Sequence, residues 1–113
     1  MSLDNLKPQE QKVVLECLRA STEGPFFPDQ EFSTLFGLSR SEVRAVIDQW
    51  PVDDRSDEKA ALAINNAINN LLGYPHDQEE AWSKYISGSR EEVYAIFEKW
   101  RDSPAEGYFD AMR

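Results

Sequence analysis

The chain has 113 residues, 41% hydrophobic and 12% aromatic, with a formal net charge of −9. That length suits one compact domain, or two small units that share a core, and the composition excludes wholesale disorder. So acidic a surface repels phosphate backbones and anionic lipids, and it suits solubility or a basic partner.

The acidity is not confined to a tail, because residues 1–52 carry −3 and residues 53–113 carry −6. The longest unbroken apolar run, Ala60 to Ile64, is far too short to span a bilayer. The opening MSLDNLKPQEQ lacks the charged-then-apolar pattern of a secretory leader, so a cytoplasmic location is expected. Cys17 is the single cysteine, which leaves no internal disulfide and no cysteine-based zinc site. It falls among Val14, Leu15 and Leu18 and is expected to be a buried small hydrophobe.

The first predicted helix starts near Pro8, a residue suited to a first turn, and runs to about Ser21 with Val14, Leu15, Cys17 and Leu18 at helical spacing. The segment EGPFFP breaks it. A short helix follows over Asp29–Phe36 and stops at Gly37. The third opens on Ser39 with Glu42 three residues on, a reciprocal cap for two free backbone N–H groups. Val43, Val46, Ile47 and Trp50 make its apolar stripe, and Pro51 ends it. The linker PVDDRSDEK offers Ser56 or Asp57 as the cap of a fourth helix, predicted to reach Leu72 with Gly73 as its stop. A short helix over Asp77–Ile86 and a final one over Arg90–Arg101 complete the set, with Ser89 and Glu92 repeating the cap. The last stretch, DSPAEGYFDAMR, is punctuated by Pro104 and Gly107 but carries Tyr108, Phe109 and Met112, which suit docking on the body or on a second chain.

These elements are one pattern written twice. SRSEVRAVIDQW (39–50) aligns without gaps to SREEVYAIFEKW (89–100), fifty residues on. Upstream at the same offset, Phe32 meets Trp82, Leu35 meets Tyr85, Pro25 meets Pro75 and Leu18 meets Ile68. The expected fold is all-α: two tandem three-helix units, residues 1–52 and 53–103, packed into one compact domain, with a tail at 104–113. A fifty-residue unit buries too little surface to stand alone, so the two should pack together. The three tryptophans, Trp50, Trp82 and Trp100, are read as core.

QEFSTLFGLSRSEVRAVIDQW resembles the helix-turn-helix pattern of bacterial repressors, with Ser33, Gly37, Val43 and Val46 at its small, turn and apolar positions. The second copy fits less well, because Gly88 comes one place late. On a helical wheel Arg40, Arg44 and Asp48 face away from the core, as do Arg90, Glu91, Tyr94 and Glu98. Two arginines on an acidic protein are too few for a groove reader, so no nucleic-acid partner is expected. No grouping for catalysis stands out, and neither an enzyme nor a cofactor is expected. His76, beside Asp77, Glu79 and Glu80, reads as part of a solvated first turn rather than a metal site.

The sharpest anomaly is AINNAINNLLGYPH, residues 63–76. Asn65, Asn66, Asn69 and Asn70 own the polar face of a clean amphipathic helix, where each costs about 0.3 kcal/mol of helix propensity against Lys or Gln. Three readings compete: drift on an exposed face, amides satisfying backbone groups of the other unit, or an amide ladder for a peptide or polar ligand. Tyr74 and His76 lie just beyond and would extend such a site. NNAINNLLGYPH, the following Trp-containing helix and EGPFFPDQEFSTLFG upstream resemble a group of small bacterial proteins of similar length with no assigned activity. That resemblance implies an all-helical bacterial protein and lends no catalytic residue. The expected role is a small acidic interaction module, monomeric or homodimeric, that binds a protein or peptide through Asn65, Asn66, Asn69, Asn70, Tyr74 and His76. A regulator derived from a helix-turn-helix stands second, and a small-ligand or metal-binding protein third.

Overall fold

Among the described residues six α-helices form the body, three from each half: α1 (Pro8–Glu23), α2 (Asp29–Phe36), α3 (Arg40–Asp48), α4 (Glu58–Gly73), α5 (Glu79–Tyr85) and α6 (Arg90–Arg101). A 3-10 turn, Leu3–Asn5, precedes them. The computed structural model describes residues 2–101, among which there is no strand. The docking expected for Tyr108, Phe109 and Met112 lies outside the described residues.

Local chemistry sets most boundaries. Ser39 Oγ accepts from Glu42 N–H at 3.1 Å while Glu42 accepts from Ser39 N–H at 3.0 Å. Ser89 and Glu92 repeat the exchange at 3.1 and 3.3 Å. Asp57 caps α4 by accepting from Lys59 and Ala60. Gly37 ends α2 at φ 67°, the left-handed region that glycine tolerates. Two helices are shorter than their patterns predict. α3 stops at Asp48, two residues before the tryptophan, and Trp50 is left half-buried against the core. α5 begins at Glu79 because Asp77 sits at φ 58°, a conformation that no right-handed helix includes.

The offset of fifty carries into three dimensions. α1 and α4 both have 16 residues, and α1, α2 and α3 start fifty positions before α4, α5 and α6. α1 packs on α4, and their buried faces hold Val13, Val14, Cys17 and Leu18 on one side and Ala60, Ala63, Ile64, Ala67 and Ile68 on the other. The three alanines suit a close approach of the axes. Contacts are then reciprocal: α2 packs on α4 and α5 on α1, while α1 and α4 each touch both α3 and α6. One hydrophobic cluster runs from Leu3 to Trp100 through both halves, so neither half has a separate core.

The same arginine device closes each half. Arg40, at the first position of α3, donates to the carbonyls of Ser21 (3.3 Å), Thr22 (2.8 Å) and Phe27 (2.8 Å). It pairs with Asp29 at 3.0 Å and lies over the Phe32 ring at 4.5 Å. Arg90 donates to the Leu72 carbonyl, pairs with Glu79 at 3.0 Å and lies over the Trp82 ring at 5.3 Å. Each guanidinium thus binds the last carbonyls of the long helix to the first turn of the short one. Arg40 and Arg90 are therefore not free outward-facing side chains. The helical wheel put them on the outer face, but a long guanidinium reaches sideways to carbonyls that the wheel does not represent.

A second clasp holds the ends of the body. The buried Asp54 carboxylate accepts from Leu3 N–H at 3.1 Å and from Trp100 Nε1 at 2.7 Å. Ser2 N–H donates to the Trp100 carbonyl at 3.0 Å.

Lysine cannot reproduce a planar fork to three carbonyls. Arg40→Lys is expected to lower stability by about 2 kcal/mol, and Arg44→Lys to leave it unchanged. Urea melts of the two variants check this, and equal midpoints would show that the fork contributes nothing.

Candidate functional site

The polar face of α4 is already occupied by α2 of the same chain. Asn66 Nδ2 donates to the Phe36 carbonyl at 2.7 Å, and Asn70 Nδ2 donates to the Leu35 carbonyl at 3.1 Å. These are terminal carbonyls of α2, which have no acceptor role inside that helix. Asn70 Nδ2 also reaches the Asn66 carbonyl at 2.8 Å, and Asn65 Nδ2 donates to Asn66 Oδ1 at 3.1 Å. A hydrogen bond of this kind contributes about 1 kcal/mol net, more than the propensity that an interior Asn loses. Glu16, fifty residues before Asn66, does the converse: it accepts from Ser87 N–H at 3.0 Å and from Ser87 Oγ at 2.7 Å, just past α5.

Tyr74 continues the same seam. Its hydroxyl donates to the Glu31 carboxylate on α2, and that hydrogen bond holds the phenol above its usual pKa. His76 is buried, not solvated. Its Nδ1 accepts from Gln78 N–H at 3.0 Å, and Nε2 lies 3.1 Å from the Leu71 carbonyl, which suits a ring protonated on Nε2. The ring meets Phe26 edge-on at 5.0 Å, fifty residues before it. The sequence reading of a wet first turn failed because the imidazole takes the place of a core aromatic, which periodicity within α5 does not reveal. Together the loops 25–28 and 74–78 border a shallow notch of about 310 Å³.

Asn69 is the member of the row set apart. It is exposed, and its side chain makes no hydrogen bond among the described residues. With Leu72 and Gly73 on the last turns of α4, it faces Arg90, Glu91, Tyr94 and Phe97 on α6 across a groove of about 460 Å³. Tyr94 is 49% exposed, which makes it one of two large hydrophobics open to solvent among the described residues; the other, Leu62, does not line this groove. Gly73 leaves the floor open, since a Cβ there would meet nothing within 4 Å.

The first half has a notch at the corresponding place, lined by Thr22, Glu23, Arg40 and Arg44 among others. Its lining is polar. At matching positions Thr22 gives way to Leu72, Glu23 to Gly73 and Arg44 to Tyr94. Leu72, Gly73 and Phe97 are groove residues that the sequence does not single out, whereas Glu91 lies on the expected outer face. Tyr94 was on the predicted outer face, and the available signal was an aromatic at the position of Arg44.

No three His, Cys, Asp or Glu side chains gather to hold a metal among the described residues, and none of the described helices is long and apolar enough to cross a membrane. Burial drives the Cys17 thiol well above its usual pKa, which keeps it an unreactive hydrophobe. No protein-family model matches the sequence, and no curated protein or solved structure matches it.

Asn66→Ala and Asn70→Ala are each expected to cost about 1 kcal/mol, while Asn69→Ala is neutral or slightly stabilising. Thermal melts of the three single variants decide, and a uniform response would deny the division of labour. Cys17 should react with a thiol-specific reagent no faster than the chain opens; modification of the folded protein at the rate of a small-molecule thiol would contradict its burial.

Proposed function

We propose that this protein is a non-enzymatic acidic interaction module that binds a protein or peptide in the groove between the end of α4 and α6. The observation that carries the reading is the half-exposed Tyr94 ring at a groove that half-buried Leu72 and buried Phe97 also line, in a body where Leu62 is the other exposed large hydrophobic among the described residues. Exposed aromatics at a concave site are the usual anchors of recognition surfaces. Of the Asn row, Asn69 supports this reading most directly, because its amide borders the groove and is unspent. Asn66, Asn70 and Tyr74 would act behind it by holding α2 against α4.

Little supports a nucleic-acid partner. Arg40 is committed to backbone carbonyls and Asp29, and Arg44 stands on a notch that Glu23 and Asp29 share. The charge of −9 remains unfavourable to phosphate.

A photo-crosslinking residue placed at position 94 is expected to capture a discrete partner in extract from cells that make the protein. The same residue at position 44, in the polar notch, is expected to capture none. Equal capture at both positions, or none at 94, would defeat the assignment of the groove.

A further inference from the structure

Resting on the groove assignment above, we infer the chemistry of its occupant: a short segment with an aromatic or aliphatic anchor and a Lys or Arg beside it. The anchor seats on Leu72, Tyr94 and Phe97, and the cation meets Glu91.

Charge complementarity selects this occupant, because the charges at the groove that lack a partner are of one sign. Arg90 is the cation in the lining, and it is neutralised: Glu79 pairs with it at 3.0 Å and the Leu72 carbonyl takes its second nitrogen. Glu91 is exposed and has no ion pair or hydrogen bond among the described residues. The groove therefore presents one unpaired carboxylate at its rim and no unpaired cation. An exposed Tyr94 ring one turn from Glu91 adds an electron-rich face that also favours a cation.

The notch of the first half supplies an internal control. It has the same arginine clamp, and fifty residues before Asn69, Glu91 and Tyr94 the first half carries Arg19, Ser41 and Arg44, of which Arg44 lines the notch. The groove thus lacks two cations that the matching positions of the first half carry, while Glu91 replaces Glu23 as the anion. The difference touches none of the clamp contacts, so folding does not require it. Asn69, free on the opposite rim, can bond the backbone or a polar side chain of a segment lying between the helices. A segment that matched this surface with acidic residues would meet Glu91 and the net charge of the whole protein.

The test uses a peptide-display library panned against the full chain, with the enriched peptides then measured individually by fluorescence anisotropy. Enriched sequences are expected to combine an aromatic or aliphatic residue with Lys or Arg within one helical turn. Tyr94→Ser should weaken them about tenfold or more, and Glu91→Lys should weaken them about tenfold while favouring acidic analogues. Binding of the wild type should also fall with added salt. Both positions are exposed, and a melting curve for each variant verifies that the fold is kept. Peptides that depend on Tyr94 but carry no cation, or that ignore Glu91→Lys, would overturn this inference and leave the groove assignment standing. Peptides indifferent to Tyr94→Ser, or no enrichment at all, would overturn both.

Discussion

Each half of this protein finishes the other's helices. α2 has eight residues and α5 has seven, so a large share of their backbone polar groups have no partner within the helix. The partners come from across the molecule. Asn66 and Asn70 on α4 take the terminal carbonyls of α2, and Glu16 on α1 takes the chain just beyond α5. The α1–α4 contact brings these side chains to their targets, and the arginine clamps then fix the short helices against the long ones. Removing the pairing of halves would leave two short helices with open ends and no core of their own.

This division of labour explains why so much polar surface is unavailable for binding. A helix face rich in amides looks like a recognition surface, and here it is one, but for a segment of the same chain. The hydroxyl of Tyr74, the imidazole of His76 and the guanidinium of Arg40 are likewise committed to internal partners. What remains is the place where the two halves differ most in lining: a polar notch by Arg44 and an apolar groove by Tyr94.

Much of the fold is legible in the sequence because its signals are local. Ser39 with Glu42, Ser89 with Glu92, Asp57 and Gly37 mark boundaries through contacts within four residues, and the helix starts of the two halves keep an offset of fifty. The less legible features are long-range. Periodicity shows that Asn66 lies on a polar face, yet not that the Phe36 carbonyl waits there, thirty positions away. It cannot show that His76 stands in for an aromatic, because Phe26 is the reason and belongs to the other half. The groove was hidden for a similar cause: Leu72 reads as ordinary core, yet it is half-buried and lines a groove with residues of α6 that lie some twenty positions on.

The dependence of α2 on α4 also has a consequence for synthesis. A chain made from its N-terminus presents Phe26, Phe27, Phe32 and Phe36 well before Asn66 and Asn70 exist. The Gly37 cap is available in that interval, but the amides that bind the Leu35 and Phe36 carbonyls arrive more than one helix later. The first half therefore emerges before α4, which supplies part of its core and the native partners of α2, is complete. Its commitment to the native state waits on α4, and any pause in translation before that helix emerges prolongs exposure of its four phenylalanines to aggregation or to chaperones.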